Sequence, residues 1–215
     1  MVRLRVSVIA GFLLLILGCR GFAEKTPSAV PDMFNATATF FPQNTPSMDI
    51  SHWRKFEAEG ITLKYPDSWK TVDQVSGRPL QTVENKEFHA RLLIKMTNAI
   101  PSSFGEKYTA WCDLMEKGFS PNTTTQEAMK DAYTILDNYP DSVLSEQPIS
   151  IAGRNAIEKI YRRPRGEPWY QVRDVWIEDT NRWIILSCYS SPGKFESNNV
   201  LFETILNNLE IKTGR

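Results

Sequence analysis

Histidine is scarce in this chain. Two occur in 215 residues, His52 and His89, and neither stands in a recognisable metal-ligand spacing with a cysteine or a carboxylate. Metal sites built on imidazole and nucleophiles activated by it have little to draw on. No Gly-rich phosphate loop, no Gly-x-Ser-x-Gly elbow and no Cys-x-x-Cys pair occurs, so common signatures of nucleotide binding, ester hydrolysis and dithiol exchange are missing. The carboxylate pairs Glu57/Glu59 and Glu84/Glu87 are those of an ordinary surface, and Asp49, Asp113 and Asp131 are too scattered for a calcium loop. Charge of one sign is lacking too: 25 Lys and Arg balance 25 Asp and Glu, which leaves no electrostatic footprint for nucleic acid. These absences together predict a non-catalytic protein with no cofactor and no metal.

What is present falls into three zones. The first is a targeting segment, Met1 to Cys19. Arg3 and Arg5 make a basic start, and Val6 to Leu17 is an apolar run. A permanent membrane helix needs about 20 such residues, so the run reads as the core of a signal peptide. Its end, Ile16-Leu17-Gly18-Cys19, resembles a bacterial lipobox, in which the cysteine thiol is alkylated with diacylglycerol, the chain is cut before it and the new amine is acylated. Leu17 is larger than the Ala or Ser usual at its place. The alternative is soluble export after a cut at Ala23, since Gly21-Phe22-Ala23 has small residues at both positions that signal peptidase reads. The resemblance implies an exported protein anchored by lipid at Cys19 to a bacterial membrane, facing the periplasm or the cell exterior.

The second zone, residues 20–51, is a tether with Pro27, Pro31, Pro42 and Pro46 among Thr, Asn and Ser. As a coil it reaches roughly 30 Å, enough to hold a domain clear of headgroups. Phe40-Phe41 inside it reads as a pair that folds back onto the domain.

The third zone, residues 52–215, carries the fold, organised around Ser150 to Tyr189. Asn155 to Arg163, Trp169 to Glu178 and Trp183 to Tyr189 read as three antiparallel strands, the last apolar nearly throughout and therefore central, with Asp179-Thr-Asn-Arg182 as a hairpin turn. Ile61 to Tyr65 alternates as a strand closed by Pro66-Asp67, with Trp69 opening the next extended piece. Phe88 to Thr97 alternates most clearly, with Phe88, Ala90, Leu92, Ile94 and Met96 on one face and His89, Arg91, Lys95 and Thr97 mainly on the other. His89 thus reads as surface or partner-facing. Phe104 to Phe119 has helical spacing, with Tyr108, Trp111, Cys112 and Met115 on one stripe. A second helix is expected from about Thr124 to Asn138, capped by Thr124 or Thr125, with Met129, Ala132, Tyr133 and Leu136 inward. A third is expected over Asn198 to Asn208. A sheet with bulky residues on both faces needs a cover on each.

Cys112 and Cys188 remain once Cys19 is assigned. Two exported cysteines can pair, or both can be small core residues that lie close together. Of six tryptophans, Trp169 and Trp183 bracket the hairpin and can stack across it. The rest read as core and rim packing, with one or two of the six exposed.

Two pieces of the domain look familiar together. Phe56-Glu-Ala-Glu-Gly-Ile-Thr-Leu-Lys-Tyr-Pro-Asp-Ser-Trp69 resembles the opening of PsbP-like domains, where a strand ends in Tyr-Pro-x-x-Trp. Gly153-Arg-Asn-Ala156, then Tyr189, Phe195 and the helix closing Leu206-Asn-Asn-Leu209-Glu-Ile, resembles that family's end. The match spans about Phe56 to Ile211. It implies an α+β fold, an α/β/α sandwich with a central antiparallel sheet, agreeing with the pattern read from the residues. The family includes extrinsic subunits and assembly proteins of photosystem II and exported lipoproteins, and the DcrB and LpqN lipoproteins are similar in plan. Most members are not enzymes. The implied function is a lipid-tethered accessory protein that docks on a membrane protein complex or helps assemble it. The alternatives are a carrier that hands a small molecule to a transporter and, behind it, a hydrolase. The candidate docking residues are Arg162, Arg163, Arg165, Trp169 and Tyr170, on a Pro-stiffened connection longer than a hairpin needs. The rival reading of its three cations is a solvated strand edge.

If Cys19 is the anchor, the mature protein partitions into detergent on phase separation, and Cys19→Ala releases it to the aqueous phase. A mature wild-type protein beginning at Glu24 contradicts the lipid anchor.

Overall fold

In a computed structural model, residues 48–75, 77–98, 110–119, 122–163 and 170–212 are described. Every described residue belongs to one compact unit, within Asn44–Arg215. Cys19 and Phe40-Phe41 lie outside the described residues.

The order of elements is β1 (Arg54–Ala58), β2 (Ile61–Tyr65), β3 (Lys70–Val72), β4 (Gln74–Val75), β5 (Arg78–Pro79), β6 (Glu84–Asn85), β7 (Ala90–Thr97), β8 (Ala110–Gly118), α1 (Thr125–Ala132), β9 (Val143–Ile151), β10 (Arg154–Arg162), β11 (Gln171–Asp179), β12 (Arg182–Ser190), α2 (Phe195–Asn207) and β13 (Glu210–Ile211). The main sheet runs β3-β7-β8-β12-β11-β10-β9, with β6 also on β7, and a small sheet runs β1-β2-β13. The main sheet is antiparallel throughout. The fold is α+β, mostly antiparallel sheet with two α-helices among the described residues.

The expected meander is present. Asp179 pairs with Arg182 around the two-residue turn Thr180-Asn181, and β12 sits in the middle of the sheet. The preceding hairpin turns at Ala152 and Gly153, both left-handed at φ 50° and 73°, the conformation that a type I′ turn requires and that glycine adopts without strain.

Alternation along β12 sends Ile184, Leu186 and Cys188 to one face, and Trp183, Ile185 and Tyr189 to the other. On the first face Phe195, Phe202, Ile205 and Leu206 of α2 pack with Val175, Ile177 and Leu114. On the second, Ala128, Met129 and Ala132 of α1, with Tyr133 and Leu136 beyond it, pack with Trp176, Trp183 and Met115. Each large apolar side chain buried this way contributes about 1.5–3 kcal/mol. α1 begins with a capping box: the Glu127 amide donates to Thr124 Oγ1 at 3.2 Å and the Thr124 amide donates to Glu127 Oε2 at 2.8 Å. A buried polar group ties α2 down. Arg173 donates to Glu158 Oε1 at 2.6 Å and to Asn199 Oδ1 at 3.0 Å, and Gln147 donates to Glu158 Oε2 at 2.8 Å. At one end of the sheet Arg182 donates to Glu116 at 2.9 Å, to Asp179 at 3.1 Å and to the Glu59 carbonyl at 2.6 Å, holding the β1–β2 turn in place.

Three expectations need correction. The stretch ending at Phe119 is not a helix: Ala110–Gly118 is β8, and residues 104–109 lie outside those described. β8 runs between β7 and β12 and is buried on both sides, so Ala110 to Met115 lost the period-2 signal, and Trp111, Cys112 and Met115 mimicked a helical stripe. The second helix is shorter than Thr124 to Asn138. It stops at Ala132 and continues as a 3-10 turn over Thr134–Asn138. In β7 a bulge leaves Leu93 without an opposite residue, since Leu92 pairs with Met115 and Ile94 with Leu114. Phe88, Ala90 and Leu92 therefore face α1, whereas Ile94 and Met96 face α2.

Cys112 and Cys188 are register partners on β8 and β12 and are joined as a disulfide. Both are buried, and their sequence separation is 76. Closing so long a loop restricts the unfolded chain by about 4 kcal/mol in the entropic account. Reduction of the unfolded protein, followed by refolding with the thiols blocked, is expected to lower stability to denaturant by about 2–5 kcal/mol. An unchanged midpoint contradicts the pairing.

Candidate functional site

Of the proposed docking residues, Arg162, Arg163 and Tyr170 are described. Arg162, at the end of β10, is exposed. Arg163 and Tyr170 close the base of the loop, the Arg163 amide donating to the Tyr170 carbonyl at 2.8 Å. Arg165 and Trp169 lie outside the described residues. Both base side chains turn onto the sheet. Arg163 Nη2 donates to Glu87 Oε2 at 3.0 Å. Tyr170 meets Trp111 edge-on at 4.5 Å, and Trp111 lies parallel to Tyr189 at 4.5 Å. Beside them Lys95 Nζ donates to both oxygens of Asp113, at 2.8 and 3.0 Å, and sits 5.3 Å from the centre of the Trp111 ring. Glu87, Lys95, Trp111, Asp113, Arg163 and Tyr189 line a cavity of about 400 Å³. Burial pushes the Asp113 carboxyl up, opposed by Lys95. Burial also works against the Arg163 charge, but Glu87 and its neighbours outweigh it and leave the guanidinium pKa raised.

The sequence named Arg163 and Tyr170 because they are local to one loop. It missed Glu87, Lys95, Asp113, Trp111 and Tyr189, which come from other elements and meet only through strand register. That register also builds a second feature. Lys95, Asp113, Ser187, Asp174, Lys159 and Glu146 are successive partners from β7 to β9, a single polar line across six strands. It lies on the α1 face between two apolar lines, Trp111-Tyr189-Val172-Tyr161 and Met115-Ile185-Trp176-Ile157.

Asp174 is the centre of the line and is fully buried. Its Oδ2 accepts from the Tyr133 hydroxyl at 2.6 Å, and the Tyr133 hydroxyl oxygen accepts from Trp176 Nε1 at 3.0 Å. A tyrosine at the end of α1 is thereby fastened to the middle of the sheet. Asp174 Oδ1 and Ser187 Oγ are buried with no hydrogen-bond partner among the described residues. Ser187 faces the carboxyl closely enough to favour its charge, without hydrogen-bonding geometry. Burial pushes the Asp174 pKa up to about 6, with the hydroxyls of Tyr133, Ser187 and Tyr161 pulling it down. Burial, then the Asp174 charge, pushes the phenols of Tyr133, Tyr161 and Tyr189 well above their ordinary range.

The remaining sequence candidates lie elsewhere. His52 is exposed in a turn. His89 is exposed at φ 49°, its Nδ1 3.4 Å from Glu84. Among the described residues no three or more His, Cys, Asp or Glu are assembled as a metal site. Trp69, Trp111, Trp176 and Trp183 are buried and Trp53 is half-buried. Trp183 packs on Phe119 at 4.2 Å and on Trp176 at 6.4 Å. Its expected stack with Trp169 lies outside the described residues. Met48, Tyr139 and Leu144 are the exposed large hydrophobics among those described. No described helix is long and apolar enough to cross a membrane.

No family model matches this chain, and no curated protein matches it. Its backbone is similar to solved structures. The solution structure of cyanobacterial PsbP (CyanoP) from Synechocystis sp. PCC 6803 superimposes with a TM-score of 0.52 at 12% identity, covering 77% of this chain and 96% of that one. LpqN, involved in cell envelope biogenesis of Mycobacterium tuberculosis, gives 0.48 at 11% identity, over 75% of this chain and 92% of that one. A Pseudomonas aeruginosa protein of unknown function gives 0.46 at 14%, over 76% and 99%.

The buried carboxyl makes stability depend on pH. The folded-state value of about 6 lies above the ordinary 3.8, so the folded protein holds this proton more tightly than the unfolded chain. The stability so gained is full below about pH 4 and lost as pH rises through 6, by about 3 kcal/mol at most. Asp174→Asn is expected to remove that downward slope between pH 4 and 7 in chemical denaturation. The same slope in both proteins contradicts the assignment.

Proposed function

We propose that this chain, whose domain carries the PsbP-like fold, is an exported, lipid-tethered accessory protein that docks on a membrane protein complex or helps assemble it, and performs no chemistry itself. The observation that carries this reading is the buried Cys112–Cys188 disulfide at the centre of the sheet. Such bonds persist in oxidising compartments outside the cytoplasm, which agrees with a signal segment ending at Cys19. In this reading α1 and α2 are the outer layers of an α/β/α sandwich, and residues 20–51 set its distance from the bilayer. The loop between β10 and β11 is the docking element. Its base is pinned by the Arg163–Tyr170 backbone bond and the Trp111–Tyr189 stack, so a partner meets a loop on a rigid support, and less ordering entropy is lost on binding.

The carrier reading keeps one specific support, a cleft of about 470 Å³ between α1 with its following turns and the β9–β10 edge.

The docking reading is tested by replacing Arg162, Arg165 and Trp169 by Ala together, sparing Arg163 because it is paired with Glu87. Native fold with loss of the partner recovered from solubilised membranes is the expected result. Native fold with undiminished recovery contradicts the loop's role.

A further inference from the structure

Met129, Tyr133, Leu136 and Val143 give the cleft between α1 and the β9–β10 edge an apolar lining, and Lys159 and Glu146 stand among them. A bulge shapes this wall. Ile160 pairs with Ser145, but Tyr161 pairs with Val143, so Leu144 is extra and Val143 and Glu146 come to the same face. Strict alternation would have put them on opposite faces.

Lys159 decides what the cleft can take. Its side chain is only 12% exposed, and its ammonium lies 4.5 Å from the centre of the Tyr133 ring. Of its three donors, one is used among the described residues, toward Glu146 Oε2 at 2.7 Å. A nearly buried ammonium with donors to spare favours an acceptor in the cleft. A cationic ligand is disfavoured, because Lys159 already takes the Tyr133 ring face and the Glu146 carboxylate. A dianion is disfavoured too, since the cations Lys130 and Lys159 are balanced by Asp137 and Glu146 along the lining.

We infer that this cleft binds a small amphipathic carboxylic acid, its carboxylate accepting from Lys159 and its apolar body lying on Met129, Leu136 and Val143. This goes beyond the docking reading and does not depend on it, because the cleft is lined by different residues from the β10–β11 loop.

The test is calorimetric titration of the full chain carrying Cys19→Ala, which needs no detergent, with sodium decanoate below its micelle concentration. Decanol, which has the same body without the charge, is titrated in parallel. One saturable site is expected. Lys159→Met, which keeps the apolar stem, and decanol should each bind about tenfold more weakly, as for loss of one charge-assisted hydrogen bond. No saturable decanoate uptake, decanol binding as tightly, or a folded Lys159→Met with unchanged affinity overturns the proposal. If Lys159→Met does not fold, Glu146→Gln on the exposed rim decides. Removing the competing carboxylate should tighten decanoate binding, and unchanged or weaker binding overturns the proposal. Binding to phosphatidylglycerol vesicles without binding to decanoate identifies a membrane headgroup instead, and also overturns it. Loss of the docking partner in the loop variant leaves these titrations unaffected, so the two readings fail separately.

Discussion

Every residue of β12 from Trp183 to Ser190 is buried, and a strand buried on both faces has to be covered twice. That requirement places the other parts. β8 and β11 flank β12 through full antiparallel registers, α2 fills one face and α1 the other, and the Cys112–Cys188 bond ties β12 to β8 two residue pairs from the end of their ladder. The polar groups on these inner strands then sit where water cannot reach them. Arg173 and Glu158 neutralise each other under α2. Asp174 makes no salt bridge among the described residues, and its carboxyl accepts from the Tyr133 hydroxyl. The α1 face is therefore where the fold carries unspent polar capacity.

How much of this was legible depended on how local each signal was. Turn chemistry and alternation revealed the meander, because Gly153 and Thr180-Asn181 are punctuated by the sequence itself. Thr124 and Thr125 marked the start of α1 as cap candidates, and the structure gives that role to Thr124. β8 was misread because burial on both sides removes the polar half of a strand's period. β9 escaped notice because an exposed edge strand interrupted by Pro148 has little apolar pattern, and an edge is where proline is tolerated. The bulge at Leu93 is set by the pairing of β7 with β8, so no pattern within β7 could reveal it.

The site was less legible for the same reason. Arg163 and Tyr170 stood out beside a long loop. Their partners Glu87, Lys95, Asp113, Trp111 and Tyr189 are spread over a hundred residues and meet only through register. The polar line from Lys95 to Glu146 contributes one residue per strand, and in each strand that residue looks like ordinary alternation. The disulfide was left open because Cys112 was assigned to a helix; once it is placed on β8, Cys188 lies directly opposite.

The domain thus combines a cross-linked sheet with a loop held at its base by the Arg163–Tyr170 backbone bond. The most direct test is native sedimentation of detergent-solubilised membranes containing the wild-type chain. The account predicts that the protein travels with a membrane protein complex much larger than its own 24.6 kDa, and leaves that position when the β10–β11 loop is replaced by a short turn. Sedimentation of the wild type as a lone protein in its detergent micelle would contradict it.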